Sequence, residues 1–311
     1  MTPRIVFHLP RSWLGPAGSG VLPFYRRLAE GLDARGIPFE QVALDRERLS
    51  ERVSGDAAFH IVNHGRFRHP RVLNAGIAYI YPFWNLDPQG IRAFSSIGGL
   101  RFDPASIDAA IARPFFRRLR QRIVGARRSR YEQPMARETL PQAAAAVFLQ
   151  SEGHRNVGET LYLDRWQMLE TVLGATRAPV IVKPHPRDAS AETDEALRDL
   201  GRRFAHLHVA RGNIHDIIAA SDRVVTINSA VGIEAYLHRK PVILCGAADF
   251  HHIADTARSE ADLARLATRP PHARHYDKFV WWYFGHNCLS TTDPELTGRF
   301  LQRLAAQGFT P

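Results

Sequence analysis

Three short polar segments break the apolar pattern of this chain, each where a run of strand-forming residues ends: Gln150-Ser151-Glu152, Lys183-Pro184-His185-Pro186 and Asn228-Ser229-Ala230. In an open parallel sheet ligands bind outside the carboxyl ends of the strands, so these positions are where chemistry is expected. Each proline around His185 sets its own φ and pushes its predecessor towards an extended conformation. The imidazole is thereby held at a defined angle beside Lys183, which suits a phosphate. A histidine that merely packs or caps a turn is the plainer reading, and the Lys-Pro-His-Pro setting weighs against it. At Asn228-Ser229 a strand passes into a helix, so a hydroxyl and free backbone N–H groups point at one volume, as in anion sites. The alternative there is an ordinary serine cap worth about 1 kcal/mol. Glu234, one helical turn beyond Ala230, either reaches sugar hydroxyls or is solvated on the helix surface.

The glycines at 15, 18 and 20 invite a dinucleotide reading, but their spacing is not G-x-G-x-x-G and the nearest acid is Asp45. Gly18, Ser19 and Gly20 are read instead as an acceptor or crevice loop, with a plain connection as the alternative.

The elements that must position these residues alternate along the chain. Ile5-Val6-Phe7-His8-Leu9 is a first strand, residues 21–32 have helical spacing, and residues 39–44, 58–62 and 77–81 continue as strand-like runs. The second half alternates more cleanly. Strands are expected at 145–150, 179–183, 207–209, 223–227 and 241–245, with helices at 161–173, 191–204, 214–220 and 231–238. Apolar strands separated by helix-length segments are what a parallel sheet covered on both faces requires. The division expected is residues 1–142 as an N-terminal Rossmann-like domain on the acceptor side, 143–290 as a C-terminal donor domain, and 291–311 as a helix packing back on the first.

Length and composition fit this. The chain has 311 residues, 45% hydrophobic and 23% charged, enough to bury real cores. Its two cysteines have no metal-ligand spacing, which points to a reducing compartment, and no apolar run approaches the roughly 18 residues needed to span a bilayer. The expected location is cytoplasmic. A net charge of +10 suggests an anionic partner, and part of the arginine excess is equally well explained by a GC-rich genome. Residues 113–130 carry eight arginines and no acid, with Phe115, Phe116, Leu119 and Ile123 forming an apolar stripe. Such a segment either lies on an anionic membrane at the inner face of the cytoplasmic membrane or packs its stripe onto the domain. No motif for specific nucleic-acid binding is present.

The run Leu149-Gln150, the segment Val182-Lys183-Pro184-His185-Pro186, the stretch from Thr226 through Asn228-Ser229 and Glu234 to Ala235, and Lys240-Pro241-Val242-Ile243-Leu244-Cys245-Gly246 together resemble the bacterial capsule polysaccharide biosynthesis family, which includes the capsular Kdo transferases. The resemblance covers residues 145–255. It implies an α/β, GT-B-like fold of two Rossmann-like domains facing a central crevice, with a CMP-activated acidic sugar such as CMP-Kdo as donor, a saccharide or glycolipid as acceptor, and no cofactor or tightly held metal. By position, His185 and Ser229 would contact the nucleotide phosphate, Glu234 would lie near the ribose or base, and Gln150, Lys183 and Asn228 would complete the donor site. The family tends to place an aspartate four residues after the glutamine, where this chain has His154. Glu152 is therefore the expected nucleophile or base, with His185 assisting departure of the nucleotide. The alternatives are a non-catalytic protein that binds nucleotide-sugar or polysaccharide during capsule assembly or export, and a CDP-glycerol or UDP-sugar transferase on the same fold.

Overall fold

The computed structural model describes residues 4–14, 21–151, 158–188 and 190–310. They form two compact units, Met1–Leu100 with Tyr283–Pro311, and Arg101–Trp282.

The N-terminal unit begins with β1 (Ile5–Leu9), α1 (Pro23–Asp33), β2 (Phe39–Ala43), α2 (Leu49–Ser54), β3 (Phe59–Asn63), β4 (Val72–Ile77) and β5 (Phe83–Asp87). β2, β1, β3 and β4 pair in parallel in that order. β5 then joins β4 antiparallel, and the strand Leu289–Ser290 adds antiparallel at the edge. The expected strand at 77–81 is thus a correction. That run ends β4 and forms the turn into β5, with the Ala78 N–H bonded to the Phe83 carbonyl at 2.9 Å and the Phe83 N–H to Ile80 at 3.0 Å. Apolar runs of this length do not distinguish a strand from a buried turn.

One face of this sheet carries an aromatic core in which Phe24 stacks on Trp84 at 4.3 Å and Phe7 on Phe300 at 6.1 Å. Phe300 belongs to the helix Leu296–Ala305, which lies against α1. Gly31 permits that approach, since a Cβ there would overlap the Thr297 side chain. Burying each such aromatic contributes roughly 1.5–3 kcal/mol. The other face, towards α2, packs Leu49, Val53, Val62 and Val72.

The C-terminal unit has α3 (Ala109–Arg120), β6 (Ala145–Phe148), α4 (Arg165–Ala175), β7 (Val180–Lys183), α5 (Ala191–Arg203), β8 (Leu207–Val209), α6 (Ile214–Ala219), β9 (Val224–Thr226), α7 (Val231–Leu237), β10 (Val242–Leu244), β11 (Asp255–Thr256), α8 (Glu260–Thr268) and α9 (Tyr276–Val280). Its strands run β11-β10-β9-β6-β7-β8, all parallel. The order is that of a doubly wound Rossmann sheet: β6 leads outward to β7 and β8, then the chain returns to lay β9 on the other side of β6. α4 starts at Arg165 rather than 161 because Asp164 and Gln167 form a reciprocal capping box.

The boundary expected at residue 142 falls instead after Leu100. The arginine segment supplies the reason. Ala112, Phe116, Leu119 and Ile123 are buried, α3 packs on α7 and α9, and Arg120 Nε donates to the Leu237 carbonyl at 3.1 Å. Phe116, Leu119 and Ile123 of the expected stripe are therefore internal to the C-terminal unit, and Phe115 is half-buried, so the stripe as a whole is not open for insertion into a membrane. Arg113, Arg117, Arg118 and Arg122 remain exposed. Among the described residues no helix is long and apolar enough to cross a membrane.

Candidate functional site

β6 and β9 are neighbours in the sheet whose onward connections leave in opposite directions, so their carboxyl ends flank the topological switch point. Gln150 follows β6 and Asn228 follows β9. They meet there. Gln150 Oε1 accepts the Asn228 backbone N–H at 2.9 Å, while Gln150 Nε2 donates to Asn228 Oδ1 at 2.8 Å. Asn228 Nδ2 donates in turn to Glu159 Oε2 at 2.8 Å and to the Ala247 carbonyl at 3.3 Å. The Asn228 amide, 7% exposed, thus has its side-chain donors and acceptor engaged, and it holds a carboxylate at the switch point. Among the described residues Glu159 Oε1 accepts no hydrogen bond. Gly246, at the end of β10, lets the chain pass close by, because a Cβ there would press on Ile227 and the Thr160 carbonyl.

The segment after β7 is built separately. The Arg187 N–H donates to His185 Nδ1 at 3.2 Å, so the neutral imidazole carries its hydrogen on Nε2. Tyr131 meets the ring edge-on at 5.4 Å, and the Arg187 guanidinium lies over the Tyr131 face at 4.9 Å. Asp188 anchors the turn: its N–H donates to the His185 carbonyl at 2.9 Å, and its carboxylate pairs with Arg165 at the start of α4. His185 is therefore a half-buried imidazole of fixed tautomer on a braced turn.

The other expected donor contacts differ in character. Lys183 is buried and spends Nζ on the carbonyls of Arg211 (3.1 Å) and Gly212 (2.7 Å), so it straps the end of β7 to the loop before α6. Burial holds its pKa below the ordinary lysine value. Ser229 Oγ accepts the Val231 N–H at 3.4 Å, a weak cap that leaves the hydroxyl hydrogen for another acceptor. Glu234 is neither solvated nor at the surface. It is 5% exposed inside α7, with Ser129 hydrogen-bonded to it, and burial pushes its pKa up to about 8. Burial thus favours the neutral carboxyl, the form that can donate a hydrogen bond.

Glu152 and His154, and Gly18, Ser19 and Gly20 of the glycine loop, lie outside the described residues. The structure thus brings Gln150 and Asn228 together and sets Lys183 to a structural task. It adds Glu159, Arg165 and Asp188, which sequence reasoning did not single out. For Glu159 the available signal was an acid in the same post-β6 loop as Glu152; for the Arg165–Asp188 pair there was none.

Residues 164–287 match the family model described as capsule polysaccharide biosynthesis protein, which bears out the resemblance read in the sequence. Two solved structures from Thermosulfurimonas dismutans are similar to the chain. KpsC, beta Kdo 2,7 transferase, superposes with a TM-score of 0.57 at 14% identity, covering 99% of this chain and 100% of that one. KpsC, beta Kdo 2,4 transferase, does so with a TM-score of 0.52 at 17% identity over 89% of each. No curated protein matches. At these identities the likeness shows the fold, an α/β architecture of the GT-B kind, as expected.

Proposed function

We propose that this protein is a glycosyltransferase of surface polysaccharide synthesis that moves Kdo or a related acidic sugar from a CMP-activated donor to a saccharide or glycolipid acceptor. The observation that carries the reading is the polar network at the switch point of the C-terminal unit, where Gln150, Asn228 and Glu159 are locked together at the carboxyl ends of β6 and β9. The family match over residues 164–287 and the Kdo-transferase names of the two similar structures support the sugar class.

In this reading the bond between the sugar and the CMP phosphate breaks as the acceptor oxygen attacks, and negative charge grows on the departing phosphate. His185 Nε2–H and the Ser229 hydroxyl stabilise that charge, a role in which a single preorganised donor is worth roughly 10²–10³ in rate. His185 suits this as a neutral donor, because its Nδ1 is already committed to the Arg187 N–H. Gln150 and Asn228 set the floor of the donor site, Lys183 holds the adjoining loop, and the neutral Glu234 carboxyl donates to the donor's ribose or base. Glu152 is proposed as the base that takes the proton of the attacking acceptor hydroxyl, or else as a nucleophile that first displaces the CMP phosphate from the sugar and is itself displaced by the acceptor. The exposed arginines of residues 113–130 hold the protein at an anionic membrane surface by charge alone.

Thermal shift with CMP, CDP and UDP, followed by assay of CMP release from CMP-Kdo with and without a saccharide acceptor, tests the proposal. Greater stabilisation by CMP and acceptor-dependent release are expected. Greater stabilisation by UDP or CDP would overturn the donor assignment, and no turnover of bound CMP-Kdo would favour a binding protein.

A further inference from the structure

The N-terminal unit carries an open pocket of about 370 Å³, apart from the residues given a role above. It is lined by His286, Arg299, Gln302 and Arg303. The last three lie on one face of the helix Leu296–Ala305, at spacings that make them neighbours. All four side chains offer N–H donors, and none is an acid.

The two guanidiniums are fixed from behind. Arg299 pairs through Nη1 with Asp293 at 3.0 Å and donates through Nη2 to the carbonyls of Gly285 (3.0 Å) and Cys288 (3.4 Å). Arg303 donates through Nη2 to the His286 and Asn287 carbonyls at 2.9 and 3.4 Å, and among the described residues it has no carboxylate within ion-pair distance. Their backbone anchors hold both forks in place, so little side-chain entropy remains to be lost when a ligand binds. Two like charges four residues apart on a helix repel, and partial burial adds a desolvation cost that an opposite charge would offset. The same crowding shows in the titration of the groups: burial and the neighbouring arginines hold the His286 imidazole below its usual range, and burial lowers Arg303.

We propose that this pocket is an oxyanion site that takes a phosphate group, either free phosphate or a phosphomonoester. Its lining brings together two guanidiniums, an imidazole and an amide. A phosphate carries up to two charges and sets its oxygens tetrahedrally, so it can accept from donors on several sides, whereas a carboxylate carries one charge and confines its acceptors to one plane. This site is independent of the donor assignment in the C-terminal unit.

The test uses the full chain with isotopically labelled histidine, the His286 ring signal being identified by its loss in His286→Gln. Inorganic phosphate, glycerol 3-phosphate and acetate are titrated separately at constant ionic strength. The His286 signal should move saturably with inorganic phosphate, with glycerol 3-phosphate or with both, the pattern telling free phosphate from ester, and acetate should leave it in place. Arg303→Gln removes one fork, and Gln302→Glu places a carboxylate at the exposed rim where folding is not at stake. Each should weaken the effect at least tenfold. No saturable shift with either phosphate, an equal shift with acetate, or an undiminished phosphate shift in folded Gln302→Glu would overturn the proposal.

Discussion

At the end of β5 in the N-terminal unit, the Asp87 carboxylate accepts the backbone N–H groups of Gln89 (2.8 Å), Gly90 (3.1 Å) and Ser96 (2.8 Å) and the Ser96 hydroxyl (2.6 Å). Asn74 likewise ties Phe67 to the strand. At the ends of β6 and β9 in the C-terminal unit, the polar side chains of Gln150, Asn228 and Glu159 bond chiefly to one another across the switch point. Sheet topology accounts for the difference. In the N-terminal unit β4 and β5 form an antiparallel hairpin, and the buried polar groups at its open end, where Asn74 pairs with Asp87, close the local chain. In the all-parallel unit successive strands diverge from β6, so polar groups at the switch point come from chain segments far apart in sequence and frame a gap a ligand can use. A buried polar residue is therefore evidence of function only once its partners are known. Histidine makes the same point, because each unit encloses a hydrogen-bonded pair, His8 with His60 at 2.9 Å and His215 with His238 at 3.0 Å.

The sharpest break of this comparison is His185→Ala. It should lower turnover by roughly 10²–10³ while leaving the circular dichroism and melting curve of the wild type, as for loss of one preorganised donor. Wild-type CMP release by the folded variant would remove the proposed chemistry from the C-terminal unit.

Asp87→Ala is the mirror experiment. Stranding buried backbone donors should cost roughly 2–3 kcal/mol of stability, measured by urea unfolding, while the affinity for CMP stays the same. A large loss of CMP affinity in the folded protein would show that the N-terminal strand ends also serve the ligand.

The histidine pairs predict a shared acid sensitivity. His60 bonds to Asp56 through Nε2 and His215 to the Arg128 carbonyl through Nε2, so in the neutral rings, which burial favours, Nδ1 is the acceptor for the partner's N–H. Burial, with the partner histidine next in weight, lowers His8 to about 4 and His238 to about 3. An unfolded histidine titrates near 6.5, so as pH falls below that value the unfolded chain takes up protons that the fold refuses. Stability is then lost towards pH 4 at up to about 1.4 kcal/mol per pH unit for each such group. His8→Gln and His238→Gln should each flatten the slope between pH 6.5 and 4.5. A wild-type stability that is level across that range would contradict the burial of the neutral pairs.

The smallest effect concerns the exposed face of α3. Replacing Arg113, Arg117, Arg118 and Arg122 by Gln, and sparing Arg120 because it bonds the Leu237 carbonyl, should weaken cosedimentation with anionic vesicles by about 1 kcal/mol per arginine that faces the surface, an effect that added salt should also abolish. Binding that survives either treatment would require an apolar contact, which the buried stripe does not offer.

The sequence by itself determined the local elements of the C-terminal unit. The five strands and four helices expected there correspond to β6 to β10 and α4 to α7, because short β-branched runs bounded by glycine, proline and polar residues carry their signal locally. It also marked Gln150, His185 and Asn228, since residue type and strand-end position are both visible in one dimension. Only the tertiary structure decided that Gln150 and Asn228 touch, that Glu159 joins them, that Lys183 is spent on two carbonyls, that Glu234 is buried, and that residues 101–142 belong with the C-terminal unit. Parallel crossovers place strands distant in sequence side by side, and burial depends on what packs over a residue from elsewhere. Neither is encoded in the spacing of residues along the chain.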